Sequence, residues 1–364
     1  MKAGAMISLL SAGAVAAGCV DSPGVGPYLQ GVTRGTVTLA WEIEDPSESL
    51  VEYGPTAGYG QTVSSPLRAA LHEITLTGLS PDTLYHYRVV SGGVAGLDHT
   101  FRTAPDESSP FRFAVYGDTQ SNADVHARVA QGMMEEDPRL VLHTGDEVDD
   151  GTDHDAWLAE FFGPAMPLMA EVPVYVAIGN HEHDSRWFYY YHAYPLPEDY
   201  YAFTYGNSTF VVLDTNRDFS PGSPQHAWLV ETLSSPEAQA AQWRFVAHHH
   251  PAYTEGWRPC DYDGDPEVRD YLVPLMEEHG VDVVFNGHTH GYARGFLNGV
   301  TYIITGGGGG RLDQDCMDWP HIAVSAYVHH FVTVDIDGPS LVLNAHGDDG
   351  QIFDTYSLMK EVQP

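Results

Sequence analysis

Five short segments in the C-terminal two thirds of the chain each place a metal-ligand side chain beside a glycine or a histidine. In chain order they occupy residues 117–120, 145–149, 179–182, 248–251 and 287–290. Most of them follow an apolar run typical of a buried strand, as residues 174–178 precede the third. Strands of an open α/β sheet end at a common edge, where binding sites are built, so the pattern predicts that these strands deliver ligands to one place. Carboxylate, imidazole and amide donors together suit Mn, Zn or Fe ions, and their number is sufficient for two.

The charge of the chain argues against one large class of partners. There are 50 acidic and 16 basic residues, which give a formal net charge of -34 at pH 7. A nucleic-acid backbone needs lysine and arginine contacts, so we expect no nucleic-acid binding. An anionic small molecule would also be repelled unless bound cations attracted it locally, so a phosphate ester is still compatible with this composition.

The first 19 residues resemble a signal peptide, because Lys2 is followed by a small, apolar stretch to Gly18. This stretch is too short and too rich in alanine and glycine to span a membrane, so we predict no transmembrane helix. It ends at Cys19, which is either lipidated, as in bacterial lipoproteins, or lies next to a plain cleavage site. We expect an exported protein that is extracellular, periplasmic or lipid-anchored at the cell envelope. Cys260 and Cys316 remain as an even pair, which favours a disulfide over two unrelated buried thiols.

Two regions differ in their hydrophobic pattern. Residues 26–104 carry short runs of alternating β type with turn residues between them, and residues 78–85 resemble the corner of a fibronectin type III domain, in which the Tyr85 hydroxyl would tie a crossing loop to its strand. An Ig-like or fibronectin type III-like all-β sandwich is therefore predicted there. Strand-like and helical runs alternate over residues 111–358, which predicts an α/β domain of two mixed sheets flanked by helices.

Within the second region the pattern predicts particular elements. We expect helices at residues 124–136, 153–162, 225–233 and 267–279. Four strands after residue 300 look consecutive, and we expect them to form a second sheet packed against the first.

The ordered motifs resemble the calcineurin-like metallophosphoesterase superfamily. The predicted sandwich ahead of them and the glycine run at residues 306–310 make the chain most similar to the purple acid phosphatase branch. The resemblance implies two divalent metal ions, Fe, Mn or Zn, with Asp146 shared between them, since one bidentate carboxylate can bridge two cations. It also implies two ligand sets: Asp118, Asp146 and His290 for one ion, and Asp146, Asn180, His249 and His288 for the other.

The chain departs from the purple branch at two positions. Asp149 stands where that branch has a tyrosine, and Gln120 stands where other branches have a histidine. Either residue would complete the first metal site, and a carboxylate binds a hard cation better than an amide does, so Asp149 is slightly favoured. Without a tyrosinate ligand we expect no purple charge-transfer colour and a site that works with divalent ions.

The remaining polar residues of the motifs receive other roles. His181 follows a ligand and is free to act as the general acid or to stabilise phosphoryl charge, and with His250 and Asn180 it would bind substrate. Glu182 either orients His181 or is solvated. His248 and His250 are each as compatible with core packing as with function. The aromatic segment at residues 187–192 either walls the pocket or packs in the core, and we expect the glycine run to pack closely beside the site.

These features together predict a metal-dependent phosphoesterase. Its substrate would be a small phosphomonoester, cleaved by attack of a metal-bound hydroxide with His181 as general acid. A phosphodiesterase working through the same site is one alternative, and a surface binding module with a vestigial metal site is another. The sequence does not determine the oligomeric state.

Overall fold

The computed structural model describes residues 24–361 of the chain. The predicted signal peptide and Cys19 lie outside these residues. Within the described part, no helix is both long and apolar enough to cross a membrane.

The N-terminal β unit contains only strands, and every neighbouring pair in it is antiparallel. Its strands are β1 (Tyr28–Gln30), β2 (Thr36–Gly54), β3 (Gln61–Thr77), β4 (Leu84–Ser91), β5 (Val94–Ala95) and β6 (His99–Arg102). Register shifts between Glu42 and Ser49 interrupt the pairing of β2 with β3. The Ser80 N–H donates a hydrogen bond of 2.9 Å to the Tyr85 hydroxyl, which is the corner contact that the sequence predicts.

The rest of the chain alternates strands and helices. The strands are β7 (Phe111–Tyr116), β8 (Val141–His143), β9 (Val174–Val176), β10 (Tyr201–Tyr205), β11 (Ser208–Val212), β12 (Trp243–Ala247), β13 (Val283–Asn286), β14 (Tyr292–Leu297), β15 (Val300–Thr305), β16 (Ile322–Ala326), β17 (His330–Asp337), β18 (Ser340–Gly347) and β19 (Ile352–Met359). The helices are α1 (Ala123–Glu135), α2 (His154–Ala156), α3 (Gly163–Met169), α4 (Arg186–Tyr191), α5 (Pro224–Ser234), α6 (Pro236–Ala240) and α7 (Val273–Glu278). Two π-helical segments complete the set, Trp157–Phe162 between α2 and α3 and Val268–Leu272 before α7.

These strands form two mixed sheets, as predicted. One has the order β19-β18-β17-β7-β8-β9 and the other the order β10-β11-β12-β13-β15-β14-β16. The expectation that the four late strands form one separate sheet is wrong. β15 pairs in parallel with β13 in the seven-stranded sheet, whereas β17 to β19 extend the six-stranded sheet through an antiparallel pairing of β17 with β7. Alternating hydrophobicity identifies a strand but not its partner, and here the partners are distant in sequence.

The two sheets face each other across an aromatic core. Phe113 of β7 packs edge-on against Phe210, Phe245 and Phe285, which belong to three strands of the other sheet, with ring centroids 5.2, 5.1 and 6.0 Å away. This packing fixes the sheets relative to each other. The parallel strands β7, β8 and β9 of one sheet and β12 and β13 of the other each end at one of the five motifs.

Candidate metal centre

The first ligand of several motifs lies in an unusual backbone conformation directly after its strand. Asp118, Asp146 and His288 have φ angles of 57°, 56° and 68°. Residues with side chains avoid this left-handed region, and such strain collects at functional sites. The turn bends the chain sharply at the strand end, so that the side chain lies over the edge of the sheet.

Three potential ligand atoms surround the Nε2 atom of His249, whose side chain is fully buried. Its Nε2 lies 3.1 Å from Asp146 Oδ2, 3.1 Å from Asn180 Oδ1 and 3.2 Å from His288 Nδ1. A tetrahedral ion with bonds of about 2.0 Å places its ligand atoms about 3.3 Å apart. The spacing of this first group therefore fits one metal ion.

A second group shares the same Asp146 oxygen. Gln120 Nε2 lies 3.5 Å from Asp146 Oδ2 and 3.3 Å from His290 Nε2, and His290 Nε2 lies 3.5 Å from Asp118 Oδ1. The structure thus brings together all six of the ligand residues predicted from the sequence, in two adjoining groups with Asp146 in common.

The hydrogen bonds around the two groups favour cation binding. His249 Nδ1 donates to the Thr144 carbonyl oxygen at 2.9 Å, and His290 Nδ1 donates to the Arg311 carbonyl oxygen at 2.8 Å. Each imidazole is thereby oriented with the lone pair of its Nε2 toward the centre, as in metal-binding histidines. Carboxylate oxygens and imidazole lone pairs repel one another unless a cation lies between them.

Two buried polar atoms at the second group lack a hydrogen-bond partner among the described residues. They are Asp118 Oδ2 and Gln120 Oε1, on side chains that are 0% and 2% exposed. Burial, together with the neighbouring Asp146 carboxylate, raises the pKa of Asp118 well above its usual value. Burying two carboxylates side by side is costly without a compensating charge, which a bound metal ion would supply. These residues therefore fit a metal ion.

The charge states of the other ligands also suit metal binding. Burial alone would raise the pKa of Asp146, but His249 and His181 outweigh that effect and the pKa is lowered overall. Burial also lowers the pKa of His288 and of His290, so both imidazoles stay neutral at moderate pH. Ionised carboxylate and neutral imidazole are the forms that bind metals.

The two candidates for completing the first site occupy different environments. The Gln120 amide lies among the ligands, whereas the Asp149 side chain is 61% exposed and its Oδ1 accepts a hydrogen bond from Ser121 Oγ at 3.1 Å. The geometry therefore favours Gln120, although the sequence slightly favoured Asp149.

His181 lies beside Asp146 and forms a hydrogen bond through only one of its two ring nitrogens. Its Nδ1 donates to the Asp149 carbonyl oxygen at 2.7 Å, and its Nε2 lies 4.0 Å from Asp146 Oδ2. The side chain is 36% exposed, so Nε2 is accessible from the solvent side of the centre. Asp149 thus contributes to the site through its main chain.

Glu182 has a role that the sequence did not suggest. It is fully buried, and its carboxylate accepts four main-chain N–H groups, from Asp146, Glu147, Val148 and Gly179. It is therefore neither solvated nor the orienting partner of His181. It instead holds the loop that carries the shared ligand.

The neighbouring histidines divide into one structural residue and one at the site. His248 Nδ1 donates to the His250 carbonyl oxygen at 2.9 Å inside the core, where burial lowers its pKa to about 3. The His250 ring lies 4.4 Å from that of His288, and its Nδ1 lies 2.8 Å from Thr215 Oγ1. His250 therefore borders the ligand groups.

The aromatic wall of the site is not the segment that the sequence singled out. Phe188 and Tyr191 are buried in the core on α4. Instead, Trp257 stacks on His288 with ring centroids 4.8 Å apart, and Tyr262 meets the same ring edge-on at 5.3 Å. Cys260, which lies between these two aromatic residues in the sequence, was a signal that could have drawn attention to this loop.

Two further features near the site agree with the sequence analysis. Cys260 and Cys316 form the expected disulfide, which joins the Trp257 loop to the segment that follows the glycine run. The glycine run packs closely beside the site, as expected. The Gly308 N–H donates to the Gly117 carbonyl oxygen and the Gly310 N–H donates to the Asp118 carbonyl oxygen, both at 2.8 Å.

Comparison with known proteins agrees with this geometry. Residues 111–292, half of the chain, match the family model described as calcineurin-like phosphoesterase. Purple acid phosphatase 15 of Arabidopsis thaliana is 28% identical over 294 residues, which cover 66% of this chain and 54% of that protein. A nucleotide pyrophosphatase/phosphodiesterase of Hordeum vulgare is 24% identical over 322 residues, covering 72% of this chain and 87% of that protein.

The fold has a close counterpart among solved structures. A purple acid phosphatase from seeds of yellow lupin (Lupinus luteus) superposes with a TM-score of 0.81 over 92% of this chain and 74% of that chain, at 20% sequence identity. This likeness shows the fold, and the chain spans only about half the length of the Arabidopsis relative. From the family model and the ordered motifs, the chain belongs to the calcineurin-like phosphoesterase family, as the sequence predicted.

Proposed function

We propose that this metal-dependent phosphoesterase hydrolyses small phosphomonoesters with two divalent cations. The observation that carries the proposal is the pair of adjoining ligand groups with one shared oxygen, Asp146 Oδ2. The reaction adds water across the P–O ester bond and yields an alcohol and inorganic phosphate. Because the protein is strongly acidic, local cations are also needed to attract such an anion.

The distances support two ligand sets. One ion would be held by Asp118, Asp146 and His290 with Gln120, and the other by Asp146, Asn180, His249 and His288. When bound, the two cations would neutralise phosphoryl charge and make a water molecule acidic enough to serve as the nucleophile at moderate pH. Fe, Mn and Zn all accept such donors. Rotating the Gln120 amide by half a turn would present its oxygen, which now lacks a partner, to the ion.

His181 is the residue proposed to move a proton. The Nδ1–H is held by the Asp149 carbonyl oxygen, so Nε2 is the atom that gives its proton to the departing alkoxide. Its distance of 4.0 Å from Asp146 Oδ2 supports a position beside the phosphoryl group and not a role as ligand. Asn180 and His250 would contact the phosphoryl oxygens from the same side.

A phosphodiester substrate is the second candidate. It is favoured by the Hordeum vulgare relative, whose name states a nucleotide pyrophosphatase/phosphodiesterase. A diester carries a second substituent on phosphorus and one negative charge fewer. The same ligand groups would serve, and the choice depends on whether the Trp257 loop leaves room for that substituent.

A direct comparison of substrates tests the proposal. Purified full-length protein is stripped of metal, reloaded with Mn²⁺, Zn²⁺ or Fe²⁺, and assayed on a chromogenic phosphomonoester and on the matching diester across a pH series. We expect two bound ions per chain and a higher kcat/KM for the monoester. Faster cleavage of the diester would select the second candidate. Metal-free protein, or no hydrolysis with any of these ions, would contradict the enzyme and favour a binding module.

We also propose the domain organisation of the protein and its export. The N-terminal β unit would be a fibronectin type III-like domain spanning residues 26–104, ahead of a catalytic domain at residues 111–358. It is supported by the all-antiparallel pairing and the Ser80–Tyr85 corner contact. Export is supported by the disulfide, which is typical of oxidising compartments. Mass spectrometry of the mature N-terminus would distinguish lipidation of Cys19 from plain cleavage.

A further inference from the structure

The N-terminal β unit contacts residues 191–193 of the α/β part through Gln30, which is 1% exposed. Its Nε2 donates to the Tyr191 carbonyl oxygen at 2.7 Å, and its Oε1 accepts from the Ala193 N–H at 2.5 Å. One side-chain amide therefore pairs with the main chain on both sides of His192, as a neighbouring strand would. Both of these hydrogen bonds are buried or partly buried, so losing them would leave main-chain groups unpaired.

Other residues of the β unit reinforce this contact. The Tyr28 hydroxyl donates to the same Tyr191 carbonyl oxygen at 2.7 Å. The Tyr191 hydroxyl donates to Glu42 Oε2 at 2.9 Å. The end of α4 is thus fixed from the β unit at its main chain and at its side chain.

The residue held between these contacts, His192, pairs with the residue that follows the shared ligand. The His192 side chain is 2% exposed, and its Nε2 lies 3.0 and 3.2 Å from the two carboxylate oxygens of Glu147. Glu147 is fully buried and directly follows Asp146, the shared ligand. A buried carboxylate is costly unless it is paired, so Glu147 depends on the position of this imidazole.

Glu147 is in turn part of the framework of both ligand groups. Its main-chain N–H donates to Glu182 at 2.7 Å, and its carbonyl oxygen accepts from Thr119 Oγ1 at 3.0 Å, next to Asp118. A shift of the Glu147 side chain would therefore move the turns that carry Asp118 and Asp146.

We propose that Gln30 is a positioning residue for the metal centre. By holding the main chain on both sides of His192, it fixes the imidazole that pairs with Glu147 and so keeps the Asp146 turn in its ligand-binding geometry. The N-terminal β unit then has a function in metal binding beyond packing. This inference rests on the proposed function only in taking Asp146 as a metal ligand.

The test compares two variants of the full chain that each remove buried hydrogen bonds between the β unit and the α/β part. Gln30→Met keeps the side-chain length and removes both bonds to residues 191 and 193. Tyr87→Phe is the matched control, because the Tyr87 hydroxyl donates to the Ala170 carbonyl oxygen, at the end of α3 and away from His192. The Kd for Mn²⁺ is measured by chelator competition on metal-stripped protein, alongside thermal unfolding.

We expect both variants to unfold at lower temperature, but only Gln30→Met to bind Mn²⁺ more weakly, by about tenfold, the lower end of the effect of residues behind metal ligands. Tyr87→Phe should stay within about twofold of the parent. In the double variant Gln30→Met with His192→Phe, affinity should equal that of His192→Phe alone, because both changes act through one imidazole. If Gln30→Met does not fold, Tyr28→Phe should show a smaller loss of affinity in the same direction.

An unchanged Kd in Gln30→Met, equal losses in Gln30→Met and Tyr87→Phe, or additive losses in the double variant would each overturn the inference. So would a parent protein that binds no Mn²⁺. A parent that binds two Mn²⁺ ions but hydrolyses no phosphate ester would contradict the proposed function and leave the role of Gln30 intact.

Discussion

Glu182 makes the strongest single prediction about stability. Both of its carboxylate oxygens accept main-chain N–H groups: Oε2 from Gly179 at 2.6 Å and from Asp146 at 3.0 Å, and Oε1 from Glu147 at 2.7 Å and from Val148 at 3.5 Å. Glu182→Gln replaces one oxygen with an NH2 group of the same size. Whichever way the amide turns, that group then faces two N–H donors.

The cost can be worked from these bonds. The less damaging orientation gives up the 2.7 Å bond and the 3.5 Å contact of Oε1. Burial and the neighbouring Asp146 and Glu147 raise the pKa of Glu182, but its two oxygens accept all four N–H groups only when the carboxylate is ionised. A hydrogen bond to a charged group contributes about 1.5–3 kcal/mol, and a buried N–H left unpaired adds its own desolvation cost. We therefore expect Glu182→Gln to lower the free energy of unfolding by about 3 kcal/mol and the melting temperature by roughly 6–12 °C.

Glu160 provides the matched control. It also accepts two main-chain N–H groups of the same region, from Asp149 at 2.8 Å and Ser121 at 3.2 Å, but through Oε2 alone. In Glu160→Gln the amide oxygen can take both bonds, so we expect a loss below about 1 kcal/mol. Urea unfolding and thermal melts of the metal-free variants measure the difference. Equal stabilities for the two variants would refute the claim that Glu182 holds the Asp146 loop.

Other outcomes follow from the site. His181→Ala should keep both metal ions and lower kcat by about 10²–10⁴-fold, as measured by metal analysis and steady-state kinetics, whereas loss of metal would make His181 a ligand. Gln120→Ala should weaken binding of the first-site ion while Asp149→Ala leaves it nearly unchanged in the same titration, and the reverse order would exclude Gln120. Protein loaded with iron should show no intense visible absorption band, since among residues 24–361 no tyrosine hydroxyl bonds to a proposed ligand. Gly306→Ala would put a Cβ 2.6 Å from Asp118 Oδ2, so it should cost about 1–3 kcal/mol in stability and weaken metal binding.

Local patterns were sufficient to predict where several strands end and which residues the structure brings together at that edge. An apolar run followed by a glycine and a ligand residue is a short-range signal, and it marked the ends of β7, β8, β9 and β13. Long-range pairing could not be predicted in this way. The late strands divide between two sheets because β17 pairs with β7 and β15 with β13, choices that depend on which faces are already covered.

The sequence also could not predict which side chains point toward the site. Residue type favoured Asp149 as the extra ligand, because a carboxylate binds cations well. In the structure Asp149 is instead exposed, and the Gln120 amide lies among the ligands. The same limit applies to the aromatic segment after the third motif. Ser185 caps α4 by accepting the Trp187 N–H, and the resulting helix buries Phe188 and Tyr191 in the core.

The glycines of the motifs explain why the five segments form a single unit. A Cβ on Gly179 would lie 2.2 Å from Asp146 Oδ1, and one on Gly287 would lie 2.5 Å from Asp118 Oδ2. Each of these two positions therefore requires glycine, because a ligand side chain from a different motif lies against it. The motifs are linked in space by these contacts, so a change in one glycine displaces a ligand that is far away in sequence. This mutual dependence gives the ordered set of motifs more predictive value than any single motif has alone.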